Sequence, residues 1–329
     1  MVAAPTTSRR RVGSMEMLLA ALIALALSGG ILSRIVAQRP AASVAATVFC
    51  GVFVQALPFL VIGVLVSGLV AAFVSPERLA RWLPRRAGLA IVVAGVGGAA
   101  LPGCECGSVP VARRLYASGA AGAAALTFML AAPAINPVVL VATAVAFPGQ
   151  PKMVIGRCLA SLATAVVMGL LWSRWGRPEW VTRSLPAAHG AAPRWVVFLE
   201  AARHDFLQAA SYLVVGAAAA AALRVLVPPW VFQHLAGQLA AGIVVMALLA
   251  VVLALCSEAD AFVAASLTML PLLPRLVFLV VGPAVDVKLF AMQAGMFGRR
   301  FALRFAPLTL LVATLAATGI GLLVLGGAH

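Results

Sequence analysis

From Ala46 to Val74 the chain runs without one charged side chain, and from Ala120 to Phe147 it does so again. Stretches this long admit few folds. Hydrocarbon offers no water to backbone N–H and C=O groups, so a segment crossing it must pair them internally, and about 20 residues of α-helix span the bilayer core. Composition agrees: 64% of residues are hydrophobic, only 10% are charged and the mean hydropathy is +1.09, whereas soluble domains carry about a quarter charged residues. The expected fold is an all-α polytopic membrane protein.

Hydropathy places a first span at about Met17–Ala37 behind the basic "SRRR", then others at Ala46–Val74, from Leu89 onward, at Ala120–Phe147 and at Met153–Trp172. Residues 1–45 form a basic N-terminal segment with the first helix, which reads as a retained helix and not a cleaved signal, because no small-residue cleavage site ends it. A first repeat follows at 46–173, a basic connecting loop at 174–205 and a second repeat at 206–329, with about 8 to 10 transmembrane helices in all. Tryptophans such as Trp172, Trp175, Trp180, Trp195 and Trp230 fall near span ends, as interfacial anchors do.

The net charge of +15 does not point to nucleic acid, because its arginines sit between apolar runs without interleaved aromatics. Loops such as Ser75–Gly88, with Arg78, Arg81, Arg85 and Arg86 against Glu77, follow the positive-inside rule and set this loop and the N-terminus in the cytoplasm.

The two halves repeat each other. "FMLAAPAINPVVLVATAVAF" (128–147) aligns with "FLVVGPAVDVKLFAMQAGMF" (278–297), pairing Pro133 with Pro283 and Asn136 with Asp286. The same offset carries Cys106 onto Cys256 and Cys104 onto Ala254, and upstream "LVIGVLVSGLV" (60–70) matches "LVVGAAAAAAL" (213–223). Duplicated halves are how many secondary transporters are built, with the site at the repeat interface where helices break. The charged loop Ser75–Gly88 corresponds to uncharged "PPWVFQH" (228–234), which favours an inverted repeat with broken or re-entrant helices at the motifs.

Those breaks carry the chemistry. Glu105, Glu258, Asp260 and Asp286 lie within apolar segments, where an ionised carboxylate costs at least about 2.5 to 3.5 kcal/mol at the bilayer centre. Either these stretches are membrane-edge loops and the acids are solvated, or the acids serve a buried site; Lys288 is a ready counter-charge for Asp286. The other acids, Glu16, Glu77, Glu179, Glu200 and Asp205, fall in polar flanks. Pro102, Gly103, Gly107 and Pro110 interrupt one segment, and Pro133 and Pro137 flank Asn136 in the next, freeing backbone groups to line a cavity. Asn136 and Asp286 thus offer one neutral and one charged oxygen ligand at equivalent positions. Cys50 and Cys158 read as packing thiols, while Cys104, Cys106 and Cys256 offer soft sulfur ligands to a thiophilic solute.

The stretch "PGCECGSVPVARRLYASGAAGAAALTFMLAAPAINPVV", with "CSEADAF" and "FLVVGPAVDVKL", resembles the predicted permeases typified by ArsP and YraQ, over roughly residues 46 to 325. Glu105 is a departure, since that family's motif often reads C-S-C-G. The resemblance implies a multi-pass permease of the bacterial inner membrane, and an exporter of trivalent organoarsenicals such as methylarsenite, whose thiophilic arsenic suits the sulfur ligands. It equally accommodates export of a soft divalent metal.

The expected mechanism is alternating access about a site drawn from Cys104, Glu105, Cys106, Pro110, Asn136, Cys256 and Asp286, with Glu258, Asp260 or Asp286 carrying a coupling proton. No G-x-x-x-x-G-K-[ST] sequence is present, so the energy would come from a gradient or a separate subunit. The expected partners are a small-molecule or metalloid substrate and the lipid bilayer, with no nucleic acid and no cofactor. Two other classes stay open: a membrane thiol–disulfide oxidoreductase using the three cysteines, and a non-transporting member of a larger membrane complex.

Overall fold

The computed structural model describes residues 40–73, 87–99, 105–117, 121–181, 193–226, 239–268 and 270–326. The expected first span, 17–37, lies outside these residues, as does Cys104. Twelve α-helices run through the described residues, and no strand occurs among them. In chain order they are α1 (Pro40–Phe73), α2 (Ala87–Gly98), α3 (Glu105–Ala117), α4 (Gly122–Ile135), α5 (Pro137–Ala146), α6 (Pro151–Trp175), α7 (Arg194–Leu226), α8 (Leu239–Leu253), α9 (Ser257–Ser266), α10 (Leu272–Ala284), α11 (Val287–Met296) and α12 (Arg299–Leu325).

The last six helices follow the pattern of the first six. Each set opens with a long helix, continues with two short ones, then two short ones that together make one apolar span, and closes with a long one. Six stretches are long and apolar enough to cross a membrane: α1, α4 with α5, α6, α7, α10 with α11, and α12. The chain is an all-α polytopic membrane protein. Its outer helices present apolar side chains outward, Leu311, Leu315 and Leu323 on α12 among them, as lipid-facing surfaces do. The joined α10–α11 segment is the most buried span, with 83% of its central window inside the protein.

The short helices turn back in the interior. At about 1.5 Å per residue, α2 and α3 each measure roughly 20 Å, well short of a roughly 30 Å hydrocarbon core. Gly95 on α2 lies against Thr127 and Leu162, and Gly98 at the end of α2 against Ala131 and Ala132, so α2 climbs beside α4. On the way back, the Ser108 hydroxyl of α3 donates to Met129 O at 3.1 Å, and Tyr116 reaches Gly122 at the start of α4. Helices α2 and α3 therefore run in opposite directions along α4, with the end of α2 and the start of α3 lying toward the break between α4 and α5. Pro133 explains the free carbonyl at that point, because proline has no N–H to give residue 129 four positions back.

The second such pair is α8 and α9. Gly242 on α8 faces Pro274 at the start of α10, and Asp260 on α9 faces Gly282 just before the break between α10 and α11. The rings of Trp172 at the end of α6 and Phe301 at the start of α12 meet at 5.4 Å between centroids, while Gly321 near the other end of α12 meets Leu273 on α10. Since Trp172 also adjoins Gly122, α4 and α10 start at opposite ends of the molecule.

Across the two halves, α1 packs along α7, α3 along α11 and α5 along α9. Within each half, glycine permits a further close approach. A Cβ on Gly63 of α1 would fall on Gly107 of α3, and one on Gly216 of α7 would lie 2.6 Å from Lys288 Cα. These are the two glycines that the aligned segments 60–70 and 213–223 set opposite each other.

Candidate functional site at the meeting of two hairpin tips

Both helix breaks are built by a side chain that caps the following helix. Asn136 Oδ1 accepts from Val139 N at 3.0 Å and its Nδ2 donates to Ala132 O at 2.9 Å, so the chain's one asparagine bridges the end of α4 and the start of α5. Its repeat partner Asp286 caps α11 by accepting from Leu289 N. Both residues are fully buried, and capping is what they do here; Asp286 keeps its second carboxylate oxygen, Oδ2, 3.5 Å from Lys288 Nζ.

Glu105 joins three helix starts. It opens α3, where a carboxylate favours the positive end of the helix, and it is 1% exposed. One of its oxygens pairs with Lys288 Nζ in the first turn of α11, and the other accepts from Ser257 Oγ, the first residue of α9, at 3.1 Å. Lys288 Nζ also donates to Leu255 O at 3.1 Å and to Ala254 O at 3.3 Å, at the point where α8 has ended. Ala254 has a positive φ of 47°, the one non-glycine residue of this kind among the described residues, and this turn is what aims both carbonyls at the ammonium. Lys288 is thus the expected counter-charge of Asp286 and, more closely, that of Glu105, which is buried and not solvated.

Cys106 and Cys256 are both buried, and both lie within electrostatic range of Lys288. Cys256 precedes the first turn of α9 as its N-cap. Pro110, inside α3, leaves the carbonyl of Cys106 without its helical donor. Among the described residues no group of three His, Cys, Asp or Glu side chains comes together to hold a metal ion.

The remaining acids flank this cluster. Asp260 is 1% exposed with Oδ2 unpartnered, and both carboxylate oxygens of Glu258 are buried without a hydrogen-bond partner. Opposite them stands Arg157, fully buried on α6, donating to Thr143 Oγ1 and to Ser257 O at 2.7 Å each. Arg157 is a site residue that the sequence reading missed. Its signal was there: it is the one charged residue between Met153 and Trp172, and charge within a span is as informative when basic as when acidic.

Asp205 needs a correction. It belongs to the buried face of α7, which begins at Arg194, and not to a polar flank. Its Oδ2 accepts from Ser67 Oγ of α1 at 2.6 Å and pairs with Arg114 of α3 at 2.8 Å. The helix starts before the hydropathy rises, its first turns half-buried on one face and packed along α1, with Arg203 and His204 exposed.

The arrangement brings together Glu105, Cys106, Cys256, Asp286 and Lys288 from both halves, with Asp260, Glu258 and Arg157 beside them. Charged groups inside a span are costly unless paired, and such groups line solute and ion pathways in transporters.

Comparison with known proteins agrees with this architecture. A family model described as "Predicted permease" matches residues 41–322. UPF0718 protein YcgR of Bacillus subtilis (strain 168) is 34% identical over 262 residues, covering 78% of this chain and 89% of that protein. A Streptococcus mutans serotype c protein named "Putative two-component membrane permease complex subunit" is 29% identical over 284 residues, covering 84% of this chain and 94% of its own length. No solved structure matches the chain. With apolar spans throughout and a family match that covers most of its length, the chain belongs to the predicted permease family.

Proposed function

We propose that this permease is a secondary transporter that exports a small thiophilic solute, a trivalent organoarsenical being the first to test, by alternating access of two inverted halves. The observation that carries the reading is the convergence of the starts of α3, α9 and α11, drawn from both halves, on one buried cluster that holds the side chains of Cys106 and Cys256. Helix starts present unpaired N–H groups, and Cys106 and Cys256 add soft donors to an otherwise hard, charged interior. Disulfide exchange is less favoured: both thiols are buried, and the motif is C-x-C where redox pairs are C-x-x-C.

Inversion fits the helix directions. Each half contributes three crossings and one hairpin, and an odd number of crossings reverses the second half with respect to the first. On this reading Arg174, Arg177, Arg299 and Arg300 share one end, which the positive-inside rule makes cytoplasmic.

Charge balance supports proton coupling. Four carboxylates, Glu105, Glu258, Asp260 and Asp286, face two cations, Arg157 and Lys288. An uncompensated charge in a low-dielectric interior is expensive, so two of the acids hold protons at rest. Glu258 and the free oxygen of Asp260, buried without hydrogen-bond partners, are the ones assigned this role.

The test is uptake of trivalent methylarsenic into everted vesicles from an efflux-deficient host, with and without a proton gradient. Gradient-dependent uptake abolished by Cys106→Ser or Cys256→Ser supports thiol ligation. Uptake unaffected by either substitution removes the thiols from the site, and absence of uptake by the wild type removes the arsenical and moves soft divalent metals to the front.

A further inference from the structure

We propose that a cavity where the end of α6 faces the start of α12 binds the phosphate of an anionic lipid headgroup. The cavity, about 570 Å³, is lined by Arg174, Trp175, Gly176, Arg177, Trp180 and Arg304. Three guanidiniums thus border one space, no carboxylate lines it, and among the described residues none of the three arginines forms an ion pair. Glu179, their neighbour in sequence, pairs with none of them. Like charges held together repel unless an anion sits between them, and guanidinium forks match phosphate oxygens in geometry.

The site is built from the backbone upward. The Gly176 N–H donates to Trp172 O at 2.8 Å and closes α6, after which the 3-10 turn Pro178–Trp180 brings Trp180 back against Trp172, ring edge to ring face at 5.8 Å. Arg304 then lies over the Trp180 ring, 4.5 Å from its centroid, a cation–π contact that fixes the guanidinium at the cavity. Trp175, 66% exposed, ends a long apolar helix, as a ring anchored at headgroup level does. That depth distinguishes a lipid phosphate from a soluble one. Basic pockets between helices on the cytoplasmic side suit acidic headgroups, at about 1 kcal/mol per arginine, which is roughly fivefold in affinity. The leaflet assignment rests on the orientation proposed above; headgroup binding does not.

The experiment is native mass spectrometry of the purified full chain released from vesicles of phosphatidylglycerol and phosphatidylcholine in equal parts, repeated with millimolar inorganic phosphate. The expected result is preferential retention of phosphatidylglycerol that phosphate does not displace. Arg304→Gln should reduce retention roughly fivefold, and the triple Arg174→Gln/Arg177→Gln/Arg304→Gln variant roughly a hundredfold. Arg275→Gln, at the other end of the molecule, should leave it unchanged. Equal retention of the two lipids by the wild type overturns the proposal without relying on any variant. So does displacement by phosphate, which would make the cavity a site for soluble anions, or a triple variant that keeps its lipid.

Discussion

Replacing Lys288 with methionine removes the cation that joins the halves while keeping most of the side chain's volume. Its ammonium faces Glu105 and Asp286, the latter at 3.5 Å, and two backbone carbonyls. At an effective dielectric of about 20, the 3.5 Å pair alone is worth roughly 5 kcal/mol of attraction. Most of that offsets the cost of burying the charges, so the net loss on removing one partner is about 3 to 5 kcal/mol. Lys288→Met strands two carboxylates and belongs near the top of that range. Glu105→Gln strands nothing fully, because Lys288 keeps Asp286 and the carbonyls, so about 2 kcal/mol is expected. In the double variant Asp286 still caps α11, and the combined loss should fall short of the sum by at least about 2 kcal/mol. The assay is a double-mutant cycle of unfolding in mixed detergent micelles, read by size-exclusion fluorescence. Additive effects, or a Lys288→Met loss below about 1 kcal/mol, would refute an ion pair holding α3 to α11.

Gly216→Ala should destabilise by about 1 to 3 kcal/mol, since its new Cβ would meet Lys288 backbone, while Gly51→Ala, with open space around it, should not; thermal unfolding compares the two. Arg157→Gln should cost several kcal/mol and abolish transport, because it leaves Asp260 and Glu258 without their nearest cation on α6, and expression with vesicle uptake reads both effects. Asp205→Asn should lose about 3 kcal/mol, with Arg114→Met adding little on top, as a second unfolding cycle measures. Asp260→Asn or Glu258→Gln should leave substrate binding in place and remove the dependence of uptake on the proton gradient; unchanged dependence in both would take the coupling role from them.

The breaks were legible because proline and glycine act locally. Pro133 and Pro283 announce the ends of α4 and α10, and their alignment sets Asn136 opposite Asp286. What the sequence could not reveal were partners brought together by packing. Nothing near Glu105 in the chain points to Lys288, 183 positions on, and nothing near Arg157 points to the Ser257 carbonyl, 100 positions on. Asp205 was misread for a related reason: hydropathy averages all faces of a helix, and here α7 exposes Arg203 and His204 while burying Asp205. The caps at Asn136 and Asp286 are a further lesson, since an oxygen that suggests a ligand in sequence can be occupied by its own backbone.

The hairpin of α2 and α3 has a consequence for how the chain is made. It is too short to cross the bilayer, and the group that neutralises Glu105 at its tip belongs to α11. A ribosome delivering the first six helices to the membrane therefore delivers an acidic tip with no counter-charge yet synthesised. Settling of this hairpin must wait for the last third of the polypeptide, so truncation after α6 should yield an inserted half that remains open at its centre and exposed to membrane proteases, whatever the quality of its own spans.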